Sequence, residues 1–382
     1  MGAMMGSGEL AEGASAEAEP RPVAASSSSS SRGFGGAGAG AKVHDDVDVR
    51  AGVDDDVAAL HALVKEAAGA EDALQYLRVN LESTAADFRA GAFSFLVAEC
   101  GGEVAAVLIH YPLWDVCRCA EYVYIDDISV APRFRRRGLA ARLVEDLRER
   151  GGMCGALAVD FKILRNNEPS LQLFRKLGAA FCDDFVNMSL AGDALSRVAS
   201  ASGLACTAGG SRDVVVRRAE PRDGPQISEL VQELAAYEGQ ADSVVAGPLP
   251  LDHDKGKESL SRIVVQSVVA EVCGGDDGDG LVGVVIFVPC YASWTGRRFV
   301  VSALVVREKL RGSGIGSLLM QAVCRHAMDD GVDMLQWSAL PTSQVAMTFY
   351  QRRLGATVNA TGDCYGVHRQ SQEWVDGSLP VT

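Results

Sequence analysis

One segment of this chain occurs twice, and the repeat constrains the fold more than any other feature. The pattern Arg-x-x-Gly-x-Gly/Ala reads Arg135–Arg136–Arg137–Gly138–Leu139–Ala140 and again Arg311–Gly312–Ser313–Gly314–Ile315–Gly316. The spacing is 176 residues whether taken from Arg135 to Arg311 or from Gly138 to Gly314. In each copy an apolar strand precedes the loop and an amphipathic helix follows it: YIDDISV before the first, VSALVV before the second. The period is too long for a solenoid. It predicts two copies of one mixed α/β unit.

The flanking segments repeat as well. Each unit opens with a short strand and a helix, from Val47 and from Val214. In the second helix Ile227, Leu230, Val231 and Leu234 keep the spacing of one helical face. Two apolar runs joined by a Gly-rich turn follow, FSFLVAEC with VAAVLIHY and VVQSVVAEV with LVGVVIFV, and these read as hairpins. Residues 1–44 carry almost no bulky apolar side chains, so they are expected to be disordered. The first domain is expected over 45–193 and the second over 213–376. The small-residue stretch 194–212 reads as a flexible linker.

Composition excludes several functions. Among 382 residues, 50 are acidic and 36 basic, a formal charge of −14. Non-specific nucleic-acid binding needs a basic surface, so no nucleic-acid partner is expected. An acidic chain suits a cationic substrate such as an amine. Ten cysteines lie scattered without a Cys-x-x-Cys pair, which predicts reduced thiols and no metal site. No apolar run reaches the ~18 residues of a membrane span. The first residues lack the apolar core of a secretion signal, so a cytoplasmic location is expected.

A helix that begins at a glycine loop presents unpaired backbone N–H groups and a positive dipole end. Small residues there let a pyrophosphate approach the backbone. The loop lacks the first glycine of a dinucleotide fingerprint in both copies.

These units resemble the GNAT N-acetyltransferase superfamily, and within it the diamine (spermidine/spermine) acetyltransferase branch. Besides the loops, the resemblance is carried by ELAAYE (233–238), LVAEC and VVAEV, SWTGR (293–297), DDISV (126–130) and NEPSLQLF (167–174). It covers about 47–190 and 213–370. It implies two tandem folds, each a mixed, splayed β-sheet flanked by helices, with acetyl-CoA in the splay. The units are expected to pack as a pseudo-dimer, or the chain to form a homodimer. By resemblance, Ile128, Ser129 and Val130, and Leu304, Val305 and Val306, hold the pantetheine arm. Arg135 to Ala140 and Arg311 to Ser317 hold the pyrophosphate. Asn167 and its counterpart Ser343 also contact the cofactor.

Amine acetylation needs a base for an ammonium of pKa ~10.4, oxyanion donors, and a proton for the leaving thiolate. The resemblance places the base on the strand before the loop, at Asp126, and the acid on Tyr350. Asp127 is expected to bind substrate. Consecutive strand residues point to opposite faces, so one of the two aspartates faces the cleft. The units divide these parts unequally. Ser302 and Ala303 stand where the first unit has Asp126 and Asp127, and Phe174 stands where the second has Tyr350. The repeat slips by one afterwards, since Gly178 matches Gly355; counted back from there, Tyr350 would match Leu173. The expected function is acetyl-CoA-dependent acetylation of a primary amine, such as a polyamine or other small amine. The alternatives are catalytically degenerate units that bind acetyl-CoA or regulate, and a protein or peptide N-acetyltransferase.

Overall fold

The computed structural model describes residues 47–153, 159–164, 166–182, 185–201, 207–208, 212–239, 265–272, 280–358 and 364–367. Residues 1–44, expected to be disordered, lie outside them. The first half runs β1 (Val47–Ala51), α1 (Val57–Ala70), α2 (Leu81–Arg89), β2 (Ser94–Cys100), β3 (Glu103–Asp115), β4 (Ala120–Val130), α3 (Leu139–Met153), β5 (Val159–Leu164), α4 (Glu168–Lys176), β6 (Phe181–Cys182) and β7 (Val186–Ala191). Helix α5 (Gly192–Ser200) and β8 (Thr207–Ala208) lead to the second half. That half holds β9 (Arg212–Arg218), α6 (Gly224–Tyr237), β10 (Gln266–Val272), β11 (Gly280–Ala292), β12 (Gly296–Val306), α7 (Ile315–Asp329), β13 (Met334–Ala339), α8 (Gln344–Thr348), β14 (Thr357–Val358) and β15 (Cys364–Val367).

Two mixed sheets result. One has the order β1-β2-β3-β4-β5-β15-β6, the other β14-β7-β13-β12-β11-β10-β9-β8. Each contains one parallel pair, β4 with β5 and β12 with β13. The orders reveal an exchange. Strand β7 follows the first half in sequence but pairs with β13 and β14 of the second. Strand β15 follows the second half but pairs with β5 and β6 of the first. Met188 and Leu190 of β7 are fully buried in the second half's core. The ends of both expected domains therefore lie in the other domain's sheet.

The expected linker is also corrected. Residues 192–200 form α5, because Leu195, Val198 and Ala199 recur at helical spacing among the small residues. Leu195 and Ala199 are buried. Gln321 Nε2 of α7 donates to Val198 O at 3.2 Å and Ala201 O at 2.5 Å, and Arg325 Nε donates to Ala199 O at 2.9 Å. Residues 202–206 and 209–211 lie outside the described ones.

Three apolar clusters hold the structure. One, under α3, draws on the first half alone, and another, under α7, joins second-half residues to Met188 and Leu190 of β7 and Leu195 and Ala199 of α5. The third is shared: Leu60, Val64, Val107 and Ile109 of the first half join Ile227, Leu230, Val284 and Ala303 of the second. Helices α1 and α6 bury their apolar stripes on their own sheets, and the halves meet where β3 approaches β11 and α2 approaches β12. Leu234 packs against this cluster while partly exposed.

Each half opens with the same ion network. Arg50 grips Asp56 in two bonds of 2.6 and 2.8 Å and also bonds Glu99. Arg217 grips Asp223 at 2.7 and 3.0 Å and Glu271 at 2.7 Å. The Arg217 guanidinium holds the Asp223 carboxyl below the usual carboxylate range. A depressed folded pKa stabilises above the unfolded value, ~3.9, and that stability is lost as pH falls through the folded value. Asp223→Ala leaves the part-buried Arg217 guanidinium with Glu271 as its remaining carboxylate and is expected to cost about 2 kcal/mol. Thermal unfolding at pH 7 measures this, and the gap from wild type should narrow below pH 4.

Candidate active site

Each sheet opens into a wedge at its parallel pair. Strand β4 pairs with β5 only over Val123 to Ile125, and β12 with β13 only at Phe299 and Val300. Beyond those pairs the strands diverge. Ile128 to Val130 and Leu304 to Val306 lie in the diverging parts, so one side of their backbone faces the opening.

The loops that follow share a backbone trace. The first has positive φ at Arg136 (65°) and Gly138 (84°); the second at Gly312 (80°) and Gly314 (97°). This alternation turns successive N–H groups inward, the geometry of an anion-binding nest. A Cβ built at Gly138, Gly312 or Gly314 would meet nothing within 4 Å, so both cradles are open. Arg136 occupies a left-handed position that Gly312 fills without strain. Arg135 Nε bonds Val130 O at 3.1 Å and Arg311 Nε bonds Val306 O at 3.2 Å, bracing each loop on its strand. Arg137 lies over Phe134 at 5.2 Å. Ser313 Oγ donates to Leu310 O at 2.6 Å. Leu139 and Ile315 point into the core, so only their backbone faces the cradle. Ala140 and Gly316 lie in the first helical turns; Gly316 sits close to Phe349, and Ser317 N bonds Gly314 O. The residues present fit a pyrophosphate-bearing group such as acetyl-CoA in both halves.

The two aspartates of β4 have different surroundings. The β3–β4 ladder pairs Ile109 with Asp127 and His110 with Ile125, so Asp126 is an extra residue in a β-bulge. Asp126 Oδ2 accepts from Ser293 N at 2.7 Å, and Oδ1 pairs with Arg298 Nη2 at 3.0 Å. Both partners belong to the second half. Asp126, the residue that the resemblance offers as the base, thus has one oxygen bonded to a backbone N–H and the other to a buried guanidinium. Asp127 lies opposite Ile109 on the face toward α1 and accepts a bond from Ser129 Oγ at 2.9 Å. Burial first, and the Asp126 charge second, push its pKa up to about 7. Glu71, just past α1, adds to that rise and is itself raised by burial. Asn167 caps α4 through Ser170 N at 3.2 Å, and its Nδ2 reaches Glu71 Oε1 at 3.4 Å.

In the second half the ladder bulges at Ser302, and Ala303 lies buried where Asp127 stands. Ser343 Oγ is 3.2 Å from Tyr237 OH. Tyr350 packs on Trp337 at 5.0 Å, as Phe174 stacks on Phe161 at 3.5 Å. Both contacts keep the 176-residue spacing, so Tyr350 corresponds to Phe174. The one-residue slip beyond it has a physical cause. Residues Phe349–Leu354 form a wide π-helical turn, which holds one residue more than the regular helix α4. Burial and then the Glu238 charge raise the Tyr350 hydroxyl to about 12.

Each β-hairpin tip reaches the other half. Trp294 O accepts from Arg78 N at 2.7 Å and Val79 N at 3.3 Å. Cys117, from the first half, is close enough to Glu238 for that charge to help raise its thiol pKa to about 11, after burial and Asp115. Three residues were given no role in the sequence reading: Glu71, Glu238 and Arg298. The first two could have been found, since a glutamate ends the opening helix of both halves. Arg298 carries no local signal.

The match to known proteins agrees with this architecture. The model of the acetyltransferase (GNAT) family matches residues 58–179 and 257–356, and the chain belongs to that family. It is therefore an N-acetyltransferase, and the family works on amines with acetyl-CoA. Thialysine N-epsilon-acetyltransferase of Bos taurus is 30% identical over 143 residues, 37% of this chain and 84% of that protein. L-ornithine N5-acetyltransferase of Arabidopsis thaliana is 24% identical over 181 residues, covering 37% and 79%. Among solved structures, a tandem GNAT protein from the clavulanic acid biosynthesis pathway aligns over 84% of this chain and 97% of its own, at 17% identity and a TM-score of 0.48. Among the described residues, no helix is long and apolar enough to cross a membrane.

Proposed function

We propose that this protein acetylates the primary amine of a small dibasic compound with acetyl-CoA, and that the first half removes the amine proton. The observation that carries the reading is Asp127: a partly buried carboxyl, titrating at about 7, beside the wedge and next to Glu71. The acceptor class is a polyamine or an amino acid with a side-chain amine, in keeping with the substrates in the names of the thialysine and ornithine relatives.

The residues that would hold acetyl-CoA in the first half are the backbone of Ile128 to Val130, the Arg135 to Ala140 loop, and Asn167. When bound, acetyl-CoA supplies an acetyl group on a thioester whose thiolate, with a pKa near the ~8.5 of cysteine, leaves without obligate help. The proton that most needs a protein group is the amine's. Freeing an ammonium of pKa ~10.4 at pH 7 costs about 4–5 kcal/mol. Asp127, ionised above pH ~7, takes that proton, directly or through one water. Glu71 supplies a second negative group that attracts a cationic acceptor. Phe174 in place of a tyrosine is therefore the smaller deficit, and Ala303 in the second half is the larger one. The second half is accordingly read as holding acetyl-CoA without removing an amine proton.

A panel of spermidine, putrescine, thialysine, ornithine and a lysine peptide, assayed for CoA release, tests the acceptor. Turnover confined to the peptide would overturn the small-amine reading. Loop variants test the division. Gly138→Ala should weaken acetyl-CoA binding to the first half by about tenfold or more and lower turnover, because a Cβ at φ 84° strains the cradle. Gly314→Ala should remove one calorimetric binding event and leave turnover nearly intact. Equal losses of turnover in the two variants would rule out a silent second cleft.

A further inference from the structure

We propose that Arg298, from the second half, is a positioning residue for proton transfer in the first: with the Ser293 N–H it holds Asp126 in the β4 bulge, and that bulge sets where Asp127 stands. The inference rests on the reading of Asp127 as the base.

A bulged residue has no partner across the ladder, and its placement re-aims the residues beside it. Asp126 is such a residue, and its side chain is only 7% exposed. Both of its polar contacts come from the other half, Ser293 N at 2.7 Å and Arg298 Nη2 at 3.0 Å. The same Nη2 donates to Tyr111 OH at 2.9 Å, which ties the guanidinium to β3, the strand that faces Asp127. Arg298 thus bridges the two strands of the bulge.

At the corresponding positions of the other side the residue types cannot form this ion pair. The residue corresponding to Arg298 in the first half is Tyr122, and the bulge residue of the second half is Ser302. A pair serving only to join the halves would serve equally at both places. This one lies beside the cleft that has Asp127, and is replaced by neutral residues beside the cleft that has Ala303.

The groups facing Asp127 come from several elements. Its own strand gives Asp126 and Ser129, the end of α1 gives Glu71, and Asn167 reaches Glu71 from α4. Arg298 on β12 bonds Asp126 and Tyr111 of β3, and it is the cation beside the Asp126 charge. Without it, the Asp126 charge stands unbalanced next to Asp127, and the proton on Asp127 is held to higher pH.

The test measures kcat against pH at saturating amine, on the full chain, alongside thermal unfolding. Arg298→Met is expected to move the rising limb up by about one pH unit and lower kcat at pH 7 about tenfold. Arg298→Lys should keep the limb within a few tenths of a unit of wild type, with a smaller loss of kcat. The double variant Asp126→Asn with Arg298→Met removes both charges together, so it remains informative if the single variant fails to fold. It should move the limb below wild type while kcat stays reduced. A wild-type limb in Arg298→Met, or a wild-type profile in the double variant, overturns the proposal. Asp127→Asn separates the two levels. If it keeps wild-type turnover, the underlying reading fails. If it is inactive while the Arg298 variants keep the wild-type limb, only the positioning role fails.

Discussion

Asp127→Asn is expected to lower kcat by about a thousandfold, within the 10²–10⁴ range that positioned general bases contribute. The wild-type rate should rise with pH through about 7, where Asp127 ionises. The asparagine variant should lose that limb, because its amide does not titrate. Stability should move the other way. The folded pKa of Asp127 is raised above its unfolded value of ~3.9, so the native state holds a proton that the unfolded chain releases. That contribution to stability is fully present below pH ~4 and is lost as pH rises through 7. The variant should therefore melt above wild type at pH 8, with the difference vanishing toward pH 4. A gain in stability with a loss of rate is the mark of a group kept for chemistry. Asp126→Asn should instead lose stability. It leaves the buried Arg298 short of its ionic partner and is expected to cost about 3 kcal/mol. Differential scanning calorimetry and initial rates on the two variants decide the assignment.

The second large effect concerns the strand exchange. Expressed alone, residues 45–193 and 212–382 should each fail to give a soluble monomer. The second fragment lacks β7, so the β13 edge loses six backbone pairs and the apolar cover of Met188 and Leu190. The first lacks β15 and exposes the edge of β5. Unpaired apolar edges recruit other chains. Burying Met188 and Leu190 alone contributes about 3–6 kcal/mol, comparable to the whole stability of a small domain. Co-expressed, the fragments should assemble one to one, as measured by light scattering after chromatography. Two well-folded, independent monomers would show that the exchange is dispensable.

The repeat, the hairpins of each half and the two loops were legible, because local patterns carry them: a glycine in the loop, an apolar strand before it, a helical stripe after it. The match of Tyr350 to Phe174 was legible too, although the one-residue slip became intelligible only through the wide turn at Phe349–Leu354. The exchange was not. The exchanged strands are only six and four residues long, and nothing in VNMSLA or CYGV names the sheet they join. The helix α5 was masked by small residues that also suit a linker. The roles of Asp126 and Asp127 turned on one bulge. Alternation says that neighbouring aspartates diverge, but which one meets a guanidinium depends on Arg298, 172 residues away.

The exchange has a consequence for dilution. Two separate copies trading strands would come apart as their concentration fell, and their melting point would follow it. Here both donors and both acceptors are on one chain, so each strand meets its sheet at an effective concentration fixed by the covalent connection. The pairing is thus indifferent to how much protein is present. Because each half is written separately in the chain, one cleft can lose a carboxylate that the other keeps, a divergence that identical subunits cannot make.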